Sequence, residues 1–162
     1  MFYPIHLNIE HLNILIIGGG RVAFRRSQFF LACKKQISVV SKCFIPEFDD
    51  VKDSFVLVHD NLISGQCAKK YIAENDVILA ATNDHNLNRE IASICKEMGK
   101  LVNVASEAAL GFHVPATVKQ GDLLISIGTG GRSPALCAQI AKELRGKYSD
   151  GRLNIGRGTE ET

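Results

Sequence analysis

The sequence predicts an α/β chain built on a doubly wound parallel sheet, with a small hairpin-and-helix segment after it. Three observations carry that expectation. Short aliphatic runs alternate with longer segments of helical spacing between about Asn13 and Val104, the rhythm of strands joined by crossover helices. The first run, Ile14-Leu15-Ile16-Ile17, passes straight into Gly18-Gly19-Gly20 and then into a helical pattern from Arg21. Beyond Ala105 the rhythm changes to two strand-like runs in succession and a last helix. The first two observations together describe a Rossmann-type sheet, whose ligand crevice lies outside the carboxyl ends of its strands.

Each element has its own justification. Strand one is expected over about Asn13 to Ile17, because a parallel strand covered on both faces needs an unbroken aliphatic run. Gly18, Gly20 and Ala23 then supply G-x-G-x-x-A spacing: the first for the tight turn, the second for close approach of a pyrophosphate, the third for packing of helix on strand. The helix N-terminus offers N–H groups to the anion. That helix should run from near Arg21 to Cys33, with Val22, Phe29 and Phe30 among its inner residues and Arg25 and Arg26 on a solvated face. Strand two is Ile37 to Val40, followed by a polar, proline-bearing stretch from Ser41 to Asp53 and strand three at Phe55 to Val58. A helix from about Ser64 to Glu74 leads into a strongly apolar fourth strand, Asp76 to Ala81. Asp84 to Met98 reads as helix ended by Gly99, and Leu101 to Val104 as strand five. Phe112 to Val118 and Asp122 to Ile127 form the hairpin across Gln120-Gly121, with Pro115 suited to an edge. Ser133 is a natural N-cap and Pro134 the first residue of a helix to about Lys147; the tail from Ser149 to Thr162 is polar and reads as loose.

At 162 residues the chain is one ordinary domain with room for a small appendage. A formal charge of +2 does not call for nucleic acid or a membrane surface as the main partner. Met1-Phe2-Tyr3-Pro4 lacks the pattern of a signal peptide and no long apolar segment follows, so a cytoplasmic location is expected. Cys33, Cys43, Cys67, Cys95 and Cys137 are odd in number and contain no C-x-x-C pair, which argues against a disulfide framework or a structural zinc site. They read mostly as small core residues in a reducing compartment. His6, His11 and His59 show no ligand spacing and His85 reads as a first-turn surface residue, so no structural metal is assigned.

The ordered set of Tyr3-Pro4, Gly18 to Ala23, Ala81-Thr82-Asn83-Asp84 with Leu87-Asn88, Val102-Asn103-Val104, Phe112 with Pro115-Ala116, and Thr129-Gly130-Gly131-Arg132-Ser133-Pro134 resembles the precorrin-2 dehydrogenases, the dehydrogenase modules of sirohaem synthases. Phe44-Ile45-Pro46-Glu47-Phe48 is similar as well, and the likeness covers Tyr3 to about Arg145. It implies NAD-dependent oxidation of precorrin-2, a tetrapyrrole rich in carboxylates, to sirohydrochlorin. It further implies an NAD-binding domain over 1–111, a hairpin and helix over 112–148 that dimerises and meets substrate, and a flexible tail over 149–162. Family members contact NAD through residues matching Arg21, Val22, Lys42 and Cys43, beside the Gly18, Gly19 and Gly20 turn; Thr82 and Asn83 fall in the same crevice at the end of strand four. The family forms homodimers, and some members also insert ferrous iron.

Several departures from the family pattern bear on function. No carboxylate stands about 20 residues after the glycines, where a ribose is usually met; Ser41 or backbone groups must serve, and Lys42 raises NADP as the alternative to the family's NAD. The family's candidate base, an aspartate after the strand-five Asn-Val pair, is matched here by Ser106, whose hydroxyl cannot take a proton at neutral pH as a carboxylate does. Glu107, His113 and water are the alternatives. Asn103, Thr129, Gly130 and Arg132 are the substrate-side candidates; the glycine turn suits an anion and a guanidinium forks onto carboxylates. Relatives continue into further helices after the Ser133-Pro134 helix, so this chain is expected either to hold substrate loosely or to rely on a partner chain. A non-catalytic nucleotide- or tetrapyrrole-binding module, and a bifunctional dehydrogenase and ferrochelatase, remain the alternatives to the dehydrogenase.

Overall fold

β1 (Ile14–Ile17) lies at the centre of a sheet in which every neighbour is parallel, paired with β2 (Ile37–Ser41) on one side and β4 (Val77–Ala80) on the other. β3 (Phe55–His59) and β5 (Leu101–Val104) complete the order 3-2-1-4-5. The computed structural model describes residues 3–32, 35–107, 109–121 and 123–149. Cys33, Asp122 and the tail beyond Ser149, each included in the elements expected above, lie outside the described residues.

Side chains alternate across a strand, so each strand feeds two cores. Leu15, Ile17, Val40, Ile78, Ala80, Val102 and Val104 pack under α2 (Gly65–Ala73) and α3 (His85–Glu97), against Ala68, Ile72, Leu87, Ile91 and Cys95. Ile14, Ile16, Ile37, Val39, Val77 and Leu79 pack on the opposite face against Ala23 and Phe30 of α1 (Arg21–Ala32) and against Phe48. All four residues of β1 are 0–2% exposed, and each such aliphatic side chain contributes about 1.5–3 kcal/mol by leaving water. The doubly wound sheet expected from the alternating pattern is therefore what the chain forms.

Expectations for α1 are corrected. The inner face of α1 is Ala23, Ser27 and Phe30, whereas Val22 and Phe29 are 40% and 43% exposed. The stripe is hidden in the sequence by a serine. Ser27 tolerates full burial because its hydroxyl donates to the Phe24 carbonyl at 2.7 Å. Arg25 is exposed as expected, but Arg26 is partly covered, and burial, with Arg25 beside it, pushes its guanidinium below its usual range. Within the proline-bearing stretch Pro46–Ser54 forms a 3₁₀ helix that seats Phe48 edge-on to Phe24 and Phe44, at 5.0 and 5.3 Å between ring centres.

Residues 5–113 make one compact unit; of the described residues, 3–4 and those from 114 to 149 belong to another. In the second, β6 (Ala116–Gln120) pairs antiparallel with β7 (Leu123–Ile127), and α4 (Pro134–Ser149) packs on the hairpin through Cys137 and Ala141 beside Val118. Arg145 donates to the Thr117 carbonyl at 2.7 Å. The first hairpin strand starts at Ala116 rather than Phe112. Phe112 is held instead to β5, its N–H donating to the Val102 carbonyl at 2.9 Å, and Pro115 has no N–H to give to a ladder. Among the described residues no helix is long and apolar enough to cross a membrane.

Candidate functional site

The order of the sheet reverses between β1 and β4, and the glycine turn sits there at the carboxyl ends of the strands. Gly18 has φ +129°, its N–H donates to the Val40 carbonyl at 2.9 Å, and a Cβ on it would run into the Ala81 carbonyl. Gly19 is just as confined: a Cβ there would meet the Cys43 carbonyl, and its own carbonyl accepts from Ile45 N–H at 2.9 Å. Gly20 differs, since a Cβ there would meet nothing within 4 Å. The first two glycines let the backbone of the turn pass close to its neighbours, whereas the third keeps open the space in front of α1. The first bond of that helix runs from Phe24 N–H to the Gly20 carbonyl, which leaves the preceding N–H groups unspent by the helix.

A cleft of about 330 Å³ opens over this turn, within the range of small-ligand sites. Gly18, Gly19, Gly20, Ser41, Lys42, Cys43, Thr82 and Asn83 all line it. Arg21 and Val22 do not; they are exposed on the first turn of α1. The Ser41 hydroxyl donates to the Cys43 carbonyl at 2.8 Å and so stays an acceptor toward a ligand. The Thr82 hydroxyl is spent inside the protein, 2.8 Å from Asn88 Oδ1 and within reach of the Asp84 backbone. Asn88, only 1% exposed, also accepts from Thr82 N–H and donates to the Thr82 carbonyl at 3.0 Å. Thr82 thus shapes the turn, and Asn83 is the exposed residue of the pair.

Sequence reasoning missed the far wall. Asp60, Asn61 and Leu62, directly after β3, line the same cleft, with Phe44 and Ile45 from the loop after β2. Asp60 accepts from the Tyr71 hydroxyl at 2.6 Å and lies 3.1 Å from Lys70 Nζ. The Tyr71 hydrogen bond first, and the Lys70 hydrogen bond after it, hold its carboxyl below the usual range. The available signal was a carboxylate immediately after the third aliphatic run.

The expected catalytic residues lie at the end of β5. Ser106 is exposed in the turn after the strand, and Glu107 pairs with Arg89 of α3, Nε to Oε1 at 2.5 Å. Asn103 is 5% exposed; its Nδ2 donates to the Phe112 carbonyl, and its Oδ1 is buried without a hydrogen-bond partner. His113 is partly buried at the end of this unit. In the other unit, Thr129 to Arg132 forms a turn closed by Arg132 N–H on the Thr129 carbonyl, with φ +62° and +79° at Gly130 and Gly131. A turn with two positive φ values strongly favours glycine at both positions. The Thr129 hydroxyl accepts from Ser133 N–H at 2.9 Å, Ser133 caps α4 by accepting from Leu136 N–H, and Arg132 is exposed.

An open cradle at Gly20, before a helix N-terminus and at the sheet's switch point, suits the pyrophosphate of a dinucleotide. The profile of a family described as putative NAD(P)-binding matches residues 5–116. The chain belongs to that family. It is 30% identical to the siroheme synthase of Chromobacterium violaceum over 157 residues, which is 96% of this chain and 33% of that protein. The siroheme synthase of Nitrosomonas europaea is 28% identical over 145 residues, 88% of this chain and 30% of the relative. The chain therefore spans about a third of the length of these curated relatives. The solved structure of SirC, precorrin-2 dehydrogenase, superposes with a TM-score of 0.73 at 25% identity, covering 96% of this chain and 84% of that one. The resemblance read from the ordered motifs is borne out.

Proposed function

We propose that the chain is an NAD-dependent precorrin-2 dehydrogenase, oxidising precorrin-2 to sirohydrochlorin in sirohaem biosynthesis, cytoplasmic and homodimeric. The observation that carries this reading is the Gly18–Gly20 cleft, in a chain that matches SirC along nearly its whole length. Gly20 and the α1 N-terminus hold the pyrophosphate, Ser41 to Cys43 flank the adenosine half, and Asn83 borders the cleft on the β4 side. When bound, the nicotinamide supplies the acceptor for two electrons and one hydrogen, so one proton is left to be taken up. Ser106 cannot take it, and the Glu107 carboxylate is committed to Arg89; water at the exposed end of β5 and His113 are the remaining acceptors. The exposed Arg132 guanidinium is available to pair with a substrate carboxylate. The exposed Leu124 and Leu136 of the hairpin-and-helix unit support its assignment as the dimer contact.

The test is anaerobic incubation of the purified protein with precorrin-2 and NAD⁺, NADP⁺ or no cofactor, read by the absorbance of sirohydrochlorin. NAD⁺-dependent product is expected. Absence of turnover with tetrapyrrole and dinucleotide binding intact replaces the enzyme by a binding module. Ser106→Asp raises turnover and shifts its pH profile toward lower pH if proton removal limits the rate.

A further inference from the structure

Reading the cleft as a dinucleotide site leaves one position unfilled. A carboxylate at the end of the second strand ordinarily accepts from the adenosine ribose, and here that strand ends at Ser41, followed by Lys42. The neighbouring strand brings one to the same place. Ser41 is in register with His59, so the next residue, Asp60, emerges one strand spacing, about 4.8 Å, from the end of β2. The Asp60 N–H donates to the Ser41 carbonyl at 3.0 Å, which fixes this position, and Asp60 lines the cleft beside Ser41 and Lys42. Its carboxylate is held in place: Tyr71 and Lys70 of α2 both engage Oδ2, and the Lys70 ammonium lies 4.6 Å from the centre of the Tyr71 ring. A carboxylate offers about four acceptor positions, so acceptor capacity remains for a ligand hydroxyl.

We propose that Asp60, positioned by Tyr71 and Lys70, accepts from the adenosine ribose and makes this chain select the 2′-hydroxyl form of the dinucleotide over the 2′-phosphate form. The proposal rests on the dinucleotide reading of the cleft. A ribose hydroxyl donates to the carboxylate, whereas a 2′-phosphate sets one anion against another. Lys70 does not reverse this, because its charge is already paired with Asp60; among the described residues Lys42 is the one cation of the cleft lining, and it is exposed.

The experiment is calorimetric titration of NAD⁺ and NADP⁺, separately, into the full chain and its Asp60→Asn, Tyr71→Phe and Lys42→Met variants, with thermal melts to establish that each is folded. The native chain should bind NAD⁺ at least about tenfold more tightly than NADP⁺, and Asp60→Asn should cut that preference about tenfold, the worth of one charge-assisted hydrogen bond. Tyr71→Phe should weaken NAD⁺ a few-fold while NAD⁺ remains the tighter ligand. A folded Asp60→Asn variant with unchanged preference, a native preference for NADP⁺, or a preference that moves only with Lys42→Met overturns the role of Asp60 and leaves the dinucleotide site standing. Failure of both dinucleotides to bind the native chain overturns the site itself and this proposal with it.

Discussion

Three consecutive glycines perform two different tasks, and substitution separates them. Gly20→Val adds a side chain into open space, so it should cost about 1 kcal/mol of stability at a helix cap yet weaken NAD⁺ by more than about a hundredfold. Gly19→Ala should do the reverse in part, costing about 1–3 kcal/mol as its Cβ forces the Cys43 carbonyl away. Urea melts and dinucleotide titrations on the two variants distinguish the roles. Asp60 gives a second residue-scale expectation. Because the Tyr71 hydrogen bond, and secondarily Lys70, lower its folded-state pKa, its contribution to stability is fully present above the ordinary carboxylate range and disappears as pH falls through the lowered value. Asp60→Asn should therefore flatten the acid limb of the stability profile below about pH 4, read by denaturation at successive pH values. The glycine spacing was legible because it is local. Asp60 was not, because its relation to Ser41 exists only once β2 and β3 are in register.

At the scale of the element, the β4–α3 connection shows how a buried polar group sets a binding surface. Asp84 caps α3 by accepting from Asn86 and Leu87 N–H groups, while Asn88 one turn later reaches back to both backbone groups of Thr82. Asn88→Ala leaves those groups without their partner in a buried place, at a cost of about 2–3 kcal/mol. It should also lower dinucleotide affinity, since the Thr82-Asn83 turn loses its brace; chemical denaturation paired with titration checks both effects. Strand and helix order was readable from periodicity, and the cap at Ser133 from residue type, whereas the cap at Asp84 emerges only in the structure. The face of α1 was misread because Ser27 looked polar while a bond to its own helix made it fit for the core. The hairpin start was misread because Phe112, apolar and strand-like, is claimed by β5.

At the scale of the whole molecule, the proposed dimer predicts that Leu136→Asp, on the exposed side of α4, converts the protein to a monomer in light-scattering chromatography while dinucleotide binding survives. The hairpin, the last helix and the sheet were all visible in the sequence. Which apolar side chains of the second unit are exposed was not, because apolar residues on a surface look the same in sequence as those in a core. The start of β1 is tied to the start of β4: Asp76 Oδ2 accepts from Asn13 N–H at 2.9 Å, and the Asn13 carbonyl accepts from Asp76 N–H at 2.9 Å, across 63 residues of chain. During synthesis at about 5–20 residues per second, β1 therefore waits roughly 3 to 13 seconds for its second neighbour. Through that interval the Ile14-Leu15-Ile16-Ile17 edge is open and apolar, which makes the nascent half-sheet the species most exposed to aggregation.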